Sequence, residues 1–445
     1  MPHASVSRAI AKPSLLAKAL DRNPRMLAAA IALHQEGAIP PATHLIDLDA
    51  VSENARVIGE AARRLGLTAF AMTKQDGHEP HMTGVVLDRG FDAVTAVEAM
   101  QAYRIHRHGF PLGNVGHTSQ LPRAEVGCIL AMAPRFVTVY SVEAARRVSK
   151  ASAALDREQA LYLTVGRPGD EGTEPELFGG WNEDDCVDAI RPIVSLPNVR
   201  IAGIAQHVTI DYPSQDDPYT ARPTAAFFTA LRVRERLERE LGLHELRINC
   251  SGNCNTVTAE ILASYGATDI EPGAALVGSG RFHALHDMPE IPAQVFVSEI
   301  THHWAGNAYA TGGGFGFVWD MDGTLAPFQG LVGRSLDQAS RQALPFLGPP
   351  WYDVYGLFHD PDGVAAIGDT LLFAHLPQVI MERCYVAAVS GISKERPIVE
   401  ALLDSEATML DEDRNPVSLN VARASVERVR RMYRANGRER SGGRA

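Results

Sequence analysis

The chain has 445 residues, 45% of them apolar and 21% charged, with a formal net charge of −11. That is globular composition, and it excludes disorder or coiled coil over most of the length. The acidic balance argues against nucleic acid as a main partner, and no apolar run reaches the roughly 18 residues that span a bilayer, so no membrane partner is expected.

Residues 1–42 read as a helical N-terminal arm. RMLAAAIALHQEG (25–37) has helical spacing, and Gly37 and Pro40-Pro41 close it. The opening residues carry scattered basic side chains but no continuous apolar segment, so no signal peptide is expected. Residues 43–290 then alternate between two textures. Short β-like runs are THLIDLD (43–49), LTAFAMTK (67–74), AVTAV (93–97), NVGHT (114–118), RFVTVYS (135–141), ALYLTVG (160–166), RIAGIAQHV (200–208), ELRINCS (245–251) and TDIEPG (268–273). Helical patterns such as AVSENARVIGEAARRLG, SVEAARRVSKASAAL and PTAAFFTALRVRERLERELG separate many of them. Strands alternating with amphipathic helices mean βα units and a parallel sheet. Eight or nine units over some 230 residues fit a closed (β/α)8 TIM barrel, an α/β fold, better than an open sheet. A Rossmann sheet is the alternative, weakened because no strand leads into G-x-G-x-x-G opening a helix.

Between 291 and 415 the chain becomes β-rich and Gly-punctuated, which predicts a C-terminal, mainly antiparallel β domain. Residues 416–445 form a basic tail, with eight arginines and two glutamates between 421 and 445. Its plain reading is a frayed, solvated helix; the sharper one is docking on an acidic partner or subunit. The cysteines at 128, 186, 250, 254 and 384 form neither an even set nor a zinc pattern. No metal site is expected, and a reduced, cytoplasmic protein is the reading that follows.

In a barrel of this type the active site lies at the C-terminal ends of the strands. The polar residues ending otherwise apolar strands are Lys74, His117, Arg167, His207, Ser251 and Glu271. Any one of them could simply cap a helix or satisfy a turn, but six at equivalent ends are harder to dismiss together. Lysine is scarce here: Lys12, Lys18, Lys74, Lys150 and Lys394 stand against 37 arginines. Lys74 ends an apolar strand, where the charged form is disfavoured, and such a lysine is a competent nucleophile toward an aldehyde. Ser251-Gly252-Asn253 and Pro272-Gly273-Ala274 are small-residue turns at late strands, which commonly hold a phosphate through backbone N–H groups. A phosphorylated ligand beside a Schiff-base lysine points to pyridoxal 5'-phosphate.

These residues carry a resemblance. THLIDLDAVSENARVIGEAARRLGLTAFAMTKQDGHEP resembles the start of the alanine racemase barrel, the fold type III pyridoxal-phosphate enzymes. GIAQHV, RINCSGN and DIEPGAALVG continue it in order, and the likeness spans about residues 43–390. TKQDGHEP, VGHTSQLP and the GDEG…FGG stretch (169–180) resemble the YhfX-like branch. The resemblance implies that Lys74 forms the internal aldimine and that His207 lies against the pyridine ring. It implies that Ser251, Gly252, Asn253, Gly273 and Ala274 bind phosphate, with His78 also near the cofactor. Glu271 would face the pyridine nitrogen. Residues 306–314 would lie where alanine racemases carry a tyrosine reaching into the other subunit's site, which implies a homodimer.

Three departures matter. Alanine racemases have Arg where this chain has Glu271, their Tyr four residues after the lysine is His78 here, and Tyr309 comes two residues early for the cross-subunit tyrosine. They point away from alanine as the substrate. A carboxylate, unlike a guanidinium, accepts a hydrogen bond from a protonated pyridinium and so makes the ring a stronger electron sink. The function implied is an amino-acid racemase or epimerase acting at Cα through a quinonoid that Glu271 stabilises. His78, His207, Tyr309 and Cys384 are candidates for the second acid or base, and Arg167 for the substrate carboxylate. A decarboxylase or metal-independent aldolase on the same fold, and a non-catalytic pyridoxal-phosphate-binding protein, are the alternatives. The second domain counts against the carrier. A hydrolytic metal barrel would want His-x-His at an early strand end, which THLID lacks.

Overall fold

The computed structural model describes residues 10–170, 177–211, 220–311, 317–318, 326, 328–347, 355–377 and 384–442. Two compact units divide the chain: one is Ile58–Met72 with Gly90–Gly273, the other Met1–Val57 with Thr73–Arg89 and Ala274–Ala445.

The first unit is built on a closed barrel of eight parallel strands. They are β2 (Thr68–Ala71), β3 (Ala93–Ala96), β4 (Leu112–Val115), β5 (Phe136–Val139), β6 (Gln159–Leu163), β7 (Val199–Gln206), β8 (Arg247–Cys250) and β9 (Asp269–Ile270). Each pairs with its successor in the chain, and β9 closes back on β2 through Asp269↔Thr68 and Ile270↔Ala69. Inside, Tyr162 stacks on Phe136 at 4.2 Å and packs with Ala160, Ala202 and Ala205, so side chains fill the barrel. Gly203 on β7 sits opposite Arg247, where an added Cβ would lie 2.2 Å from the Arg247 carbonyl oxygen. Only glycine lets those two strands approach.

The N-terminal end of the barrel is tied by one buried carboxylate. Asp269 accepts from Tyr162 Oη, Arg247 Nε and Thr268 Oγ1, each at 2.9 Å. Arg247 also donates to Thr68 Oγ1 at 2.8 Å, so the starts of β2, β8 and β9 share one network.

In the second unit, ten strands form a mainly antiparallel sheet. Its centre is β10 (Gln294–Trp304), flanked by β1 (Thr43–Asp47) and Thr370–Phe373. Here the structure corrects the sequence reading of 43–49 as the opening barrel strand. β1 runs antiparallel to β10 through Leu45↔Val295 and parallel to Tyr385–Ser390 through Thr43↔Tyr385. The physical reason is closure: β9 pairs β2, so the barrel offers no free edge to a ninth strand. The expected N-terminal arm is two helices, Leu15–Arg22 and Pro24–Gln35, capped by Ser14 and Asn23. Leu16, Met26, Leu27 and Ile31 pack in one core with Leu45, Val295, Leu372 and Ala387 of the sheet.

The basic tail is not a frayed helix either. Leu419–Gly442 is helical, and Ala422, Val426, Val429 and Tyr433 are buried along one face. Three of its arginines meet carboxylates of their own chain: Arg430 and Arg434 both pair with Asp88, and Arg428 with Glu400. Burial would raise the Asp88 carboxyl, but the two guanidinium groups outweigh it and hold it below its ordinary range. Among the described residues no helix is long and apolar enough to cross a membrane.

Replacing Asp269 with Ala should leave Arg247 without its carboxylate and cost about 3 kcal/mol of unfolding free energy. Denaturant titration measures this. A cost below about 1 kcal/mol would show that the network does not hold the strand starts together.

Candidate active site

Glu271 follows β9 directly, and its carboxylate is fully buried. Three side chains from the ends of two barrel strands, β4 and β8, face it. On β4, Asn114 accepts from Thr138 Oγ1 at 2.7 Å through its Oδ1, which turns its Nδ2 toward Glu271 Oε1 at 3.3 Å. Two residues past β4, His117 Nδ1 lies 2.9 Å from Glu271 Oε2. Asn249 on β8 also faces the carboxylate, short of a hydrogen bond. Burial would raise the Glu271 carboxyl, but His117, Asn114 and Asn249 outweigh it and hold it below its ordinary value. It is therefore an anion at neutral pH. An ionised carboxylate only accepts, so His117 Nδ1 carries a proton toward it.

The other face of His117 continues the chain of contacts. Its Nε2 is 3.2 Å from Ser251 Oγ, and His207 Nδ1 is 2.8 Å from the same oxygen. The two imidazole rings meet edge to face at 5.9 Å. Glu271, His117, Ser251 and His207, each expected from its strand-end position, are thus brought into one line. Arg167 stands outside that line: it is exposed, and its Nε lies 3.5 Å from Glu183 Oε2. Gly252 (φ +83°) and Asn253 (φ +57°) make the left-handed turn after Ser251. An added Cβ on Gly252 would lie 2.7 Å from Val208 Cγ1, so the turn admits nothing larger. Met72 N–H donates to Pro272 O at 3.0 Å, which sets the end of β2 beside Pro272-Gly273.

Lys74 stands three residues past the end of β2 and opens a single 3-10 turn, Lys74–Asp76. It is half-buried. His78 has φ +55° and its Nδ1 lies 2.9 Å from Thr73 Oγ1. Asp76 is buried against His44 Nε2 at 3.1 Å; burial raises its carboxyl and His44 only partly offsets this. Ala274 opens the turn Ala274–Val277. In the β sheet, Tyr309 stacks on His302 at 4.4 Å, and Cys384 is buried just ahead of Tyr385–Ser390. Residues 312–314 of the 306–314 stretch, and 171–176 of the 169–180 stretch, lie outside the described residues. Asn114, Thr138 and Asn249 were given no part by sequence. The signal available for Asn114 was its position three residues before His117 in NVGHT.

The implied pyridoxal phosphate can be tested against these residues. Glu271 is a buried anion whose Oε1 takes, among the described residues, one long bond from Asn114, which leaves acceptor capacity for a ring N–H. Thr95 Oγ1, Gln206 Oε1 and both Asn249 amide atoms are buried on barrel strands without a hydrogen-bond partner among the described residues. Spare acceptor capacity and unfilled polar groups on the strands fit a polar ligand. Among the described residues no group of three or more His, Cys, Asp or Glu could hold a metal ion.

The chain matches the family model described as alanine racemase, N-terminal domain, over residues 46–280. It matches the YhfX-like, C-terminal domain over 295–399. It is 30% identical over 396 residues to the uncharacterized protein YhfX of Escherichia coli (strain K12), covering 88% of this chain and 98% of that one. In structure it resembles D-threonine aldolase from Filomicrobium marinum, with TM-score 0.62, 16% identity, and 83% and 96% of the two chains covered. Alanine racemase from Corynebacterium glutamicum is similar at TM-score 0.53 and 16% identity, over 75% of this chain and 89% of that one.

The Glu271 charge gives a pH signature. A carboxyl held low in the folded state contributes stability above its ordinary value of 4.5 and loses it as pH falls through the folded value. The unfolding free-energy difference between the wild type and Glu271→Gln should therefore be largest at neutral pH and shrink below about pH 4.5. Denaturant titrations from pH 7 to pH 3 measure it, and a difference that stays constant would contradict the assignment.

Proposed function

The chain belongs to the alanine racemase N-terminal domain family and carries a YhfX-like C-terminal domain, and from that premise we propose that it is a pyridoxal-phosphate-dependent amino-acid racemase or epimerase. The observation that carries the cofactor reading is the buried anionic Glu271, held by His117 and Asn114 at a barrel strand end. Pyridoxal phosphate, when bound, supplies a sink for the electrons released at a substrate's Cα. Lys74 would hold it covalently. Ser251, Gly252, Asn253, Gly273 and Ala274 would bind its phosphate, and His78 and His207 would flank it. Glu271 would accept from the ring N–H. Because its carboxyl is held low, it remains an anion and moves no proton; its work is electrostatic. His117 keeps that carboxylate oriented. Lys74 would exchange a proton at one face of Cα, with His78, His207, Tyr309 or Cys384 serving the other. Arg167 is the group proposed for the substrate carboxylate. A homodimer, read out by light scattering, belongs to the same reading.

The second reading is a lyase, a decarboxylase or aldolase. The likeness to D-threonine aldolase favours keeping it. Incubation with a panel of amino acids in D₂O separates them. Deuterium at Cα with loss of chirality supports the racemase, whereas CO₂ or aldehyde release would replace it with a lyase.

Borohydride reduction followed by peptide mapping should find the cofactor on Lys74. Attachment at Lys12, Lys18, Lys150 or Lys394, or no attachment, would overturn the proposal. In Glu271→Gln, turnover should fall at least tenfold while bound cofactor changes little, since the charge matters most in the transition state. Equal turnover per folded molecule would remove Glu271 from the chemistry.

A further inference from the structure

The C-terminal helix Leu419–Gly442 lies beyond both matched segments, which end at residues 280 and 399. It packs on the short helix Pro80–Leu87, the element that follows the Lys74 turn. That short helix starts from a buried device. The Glu79 carboxylate accepts from the backbone N–H groups of His81 and Met82 and, at 2.7 Å, from His81 Nδ1. Glu79 and His81 are buried throughout. With Nδ1–H committed to the carboxylate, the other ring nitrogen faces the C-terminal helix, where Ser425 Oγ lies 3.0 Å from Nε2. At the far end of the short helix, Asp88 takes two bonds from Arg430, at 3.0 and 2.7 Å, and one from Arg434 at 2.9 Å. Between these ends the helices touch so closely that an added Cβ on Gly84 would lie 2.7 Å from Arg430 Cδ.

We infer that the C-terminal helix is a positioning element for Lys74, acting through the relay from Ser425 to the buried His81 and Glu79. The relay fixes the first turn of Pro80–Leu87, and that turn anchors the C-terminal side of the segment 74–79. His44 holds the same segment at Asp76. Ser425 is thus a positioning residue, because it reaches the reacting lysine only through His81 and Glu79. The inference rests on the proposed role of Lys74 for its consequence in catalysis, but the clamp itself can be tested without cofactor.

The test uses the full chain with Ser425→Ala, and Ser425→Thr, which restores the hydroxyl. Hydrogen exchange is followed by mass spectrometry without added cofactor. Loss of one hydrogen bond to a buried group should speed exchange about fivefold in peptides covering 73–88. Barrel peptides should be unchanged, and Ser425→Thr should return the wild-type rate. Unchanged exchange at 73–88, an equal rise over the whole molecule, or failure of Ser425→Thr to restore the rate would overturn the inference. In parallel, pyridoxal phosphate is added and the fraction trapped on Lys74 by borohydride is measured. The Ala variant should need about fivefold more cofactor for half-maximal trapping, and an unchanged requirement would also overturn it. If the wild type traps none, the functional reading fails, while the exchange data still decide the clamp.

Discussion

Closure of the barrel along the seam between β9 and β2 is the constraint on which the site depends. β9 is only two residues long, yet it carries contacts at both ends. At its start Asp269 gathers Tyr162, Arg247 and Thr268. Past its end Pro272 O takes the Met72 N–H. Two residues of ladder are little on their own, so the buried Asp269 carboxylate with its half-buried Arg247 partner below and the backbone bond above supply the fixation. The seam fixes where Glu271 begins and where the strand leading to Lys74 ends. In such a barrel the strand starts are a place for stability and the strand ends a place for chemistry. Asp269 and Glu271, two residues apart, divide those duties.

Glu271 illustrates how a buried charge is kept. Removing a carboxylate from water costs several kcal/mol unless partners replace the lost solvation. Here a histidine and an asparagine do so, and each is itself oriented by a further residue: Asn114 by Thr138, and His117 by Ser251. A carboxyl held low is poorly suited to shuttling protons near neutral pH and well suited to facing a cation. Proton traffic in the proposed reaction therefore falls to the lysine and a second group.

The parts legible in the sequence were those set by local pattern. Glu271, His207, Ser251 and His117 stood out because each ends an apolar strand, and the structure brings them together; Lys74 was singled out by the scarcity of lysine, and its role is a proposal. Alternation of strands and helices gave the barrel. What local pattern could not carry was pairing. THLID followed by a helix has the texture of a βα unit, and only closure of β9 on β2 shows that the strand belongs to the other sheet. The partnership of His117 with Glu271 joins residues 154 apart in the chain, and no periodicity reports that. Asn114 was hidden for a similar reason: its amide acquires meaning only once Thr138 fixes which way it points.

The tail shows the same limit from the opposite side. Its arginines read as a solvated run because the partners of Arg428, Arg430 and Arg434, namely Glu400 and Asp88, are distant in sequence and unremarkable where they stand. A helix of eight residues such as Pro80–Leu87 is too short to be stable in water by itself. It must borrow order from what covers it. Its sequence, PHMTGVVL, is apolar nearly all round, which is the mark of a helix buried on every side. A short apolar helix directly after the Lys74 turn therefore requires a cover from elsewhere. In this chain an amphipathic C-terminal helix meets that need, laying Val426 and the Arg430 stem against Gly84 and its guanidinium groups on Asp88, where the short helix ends.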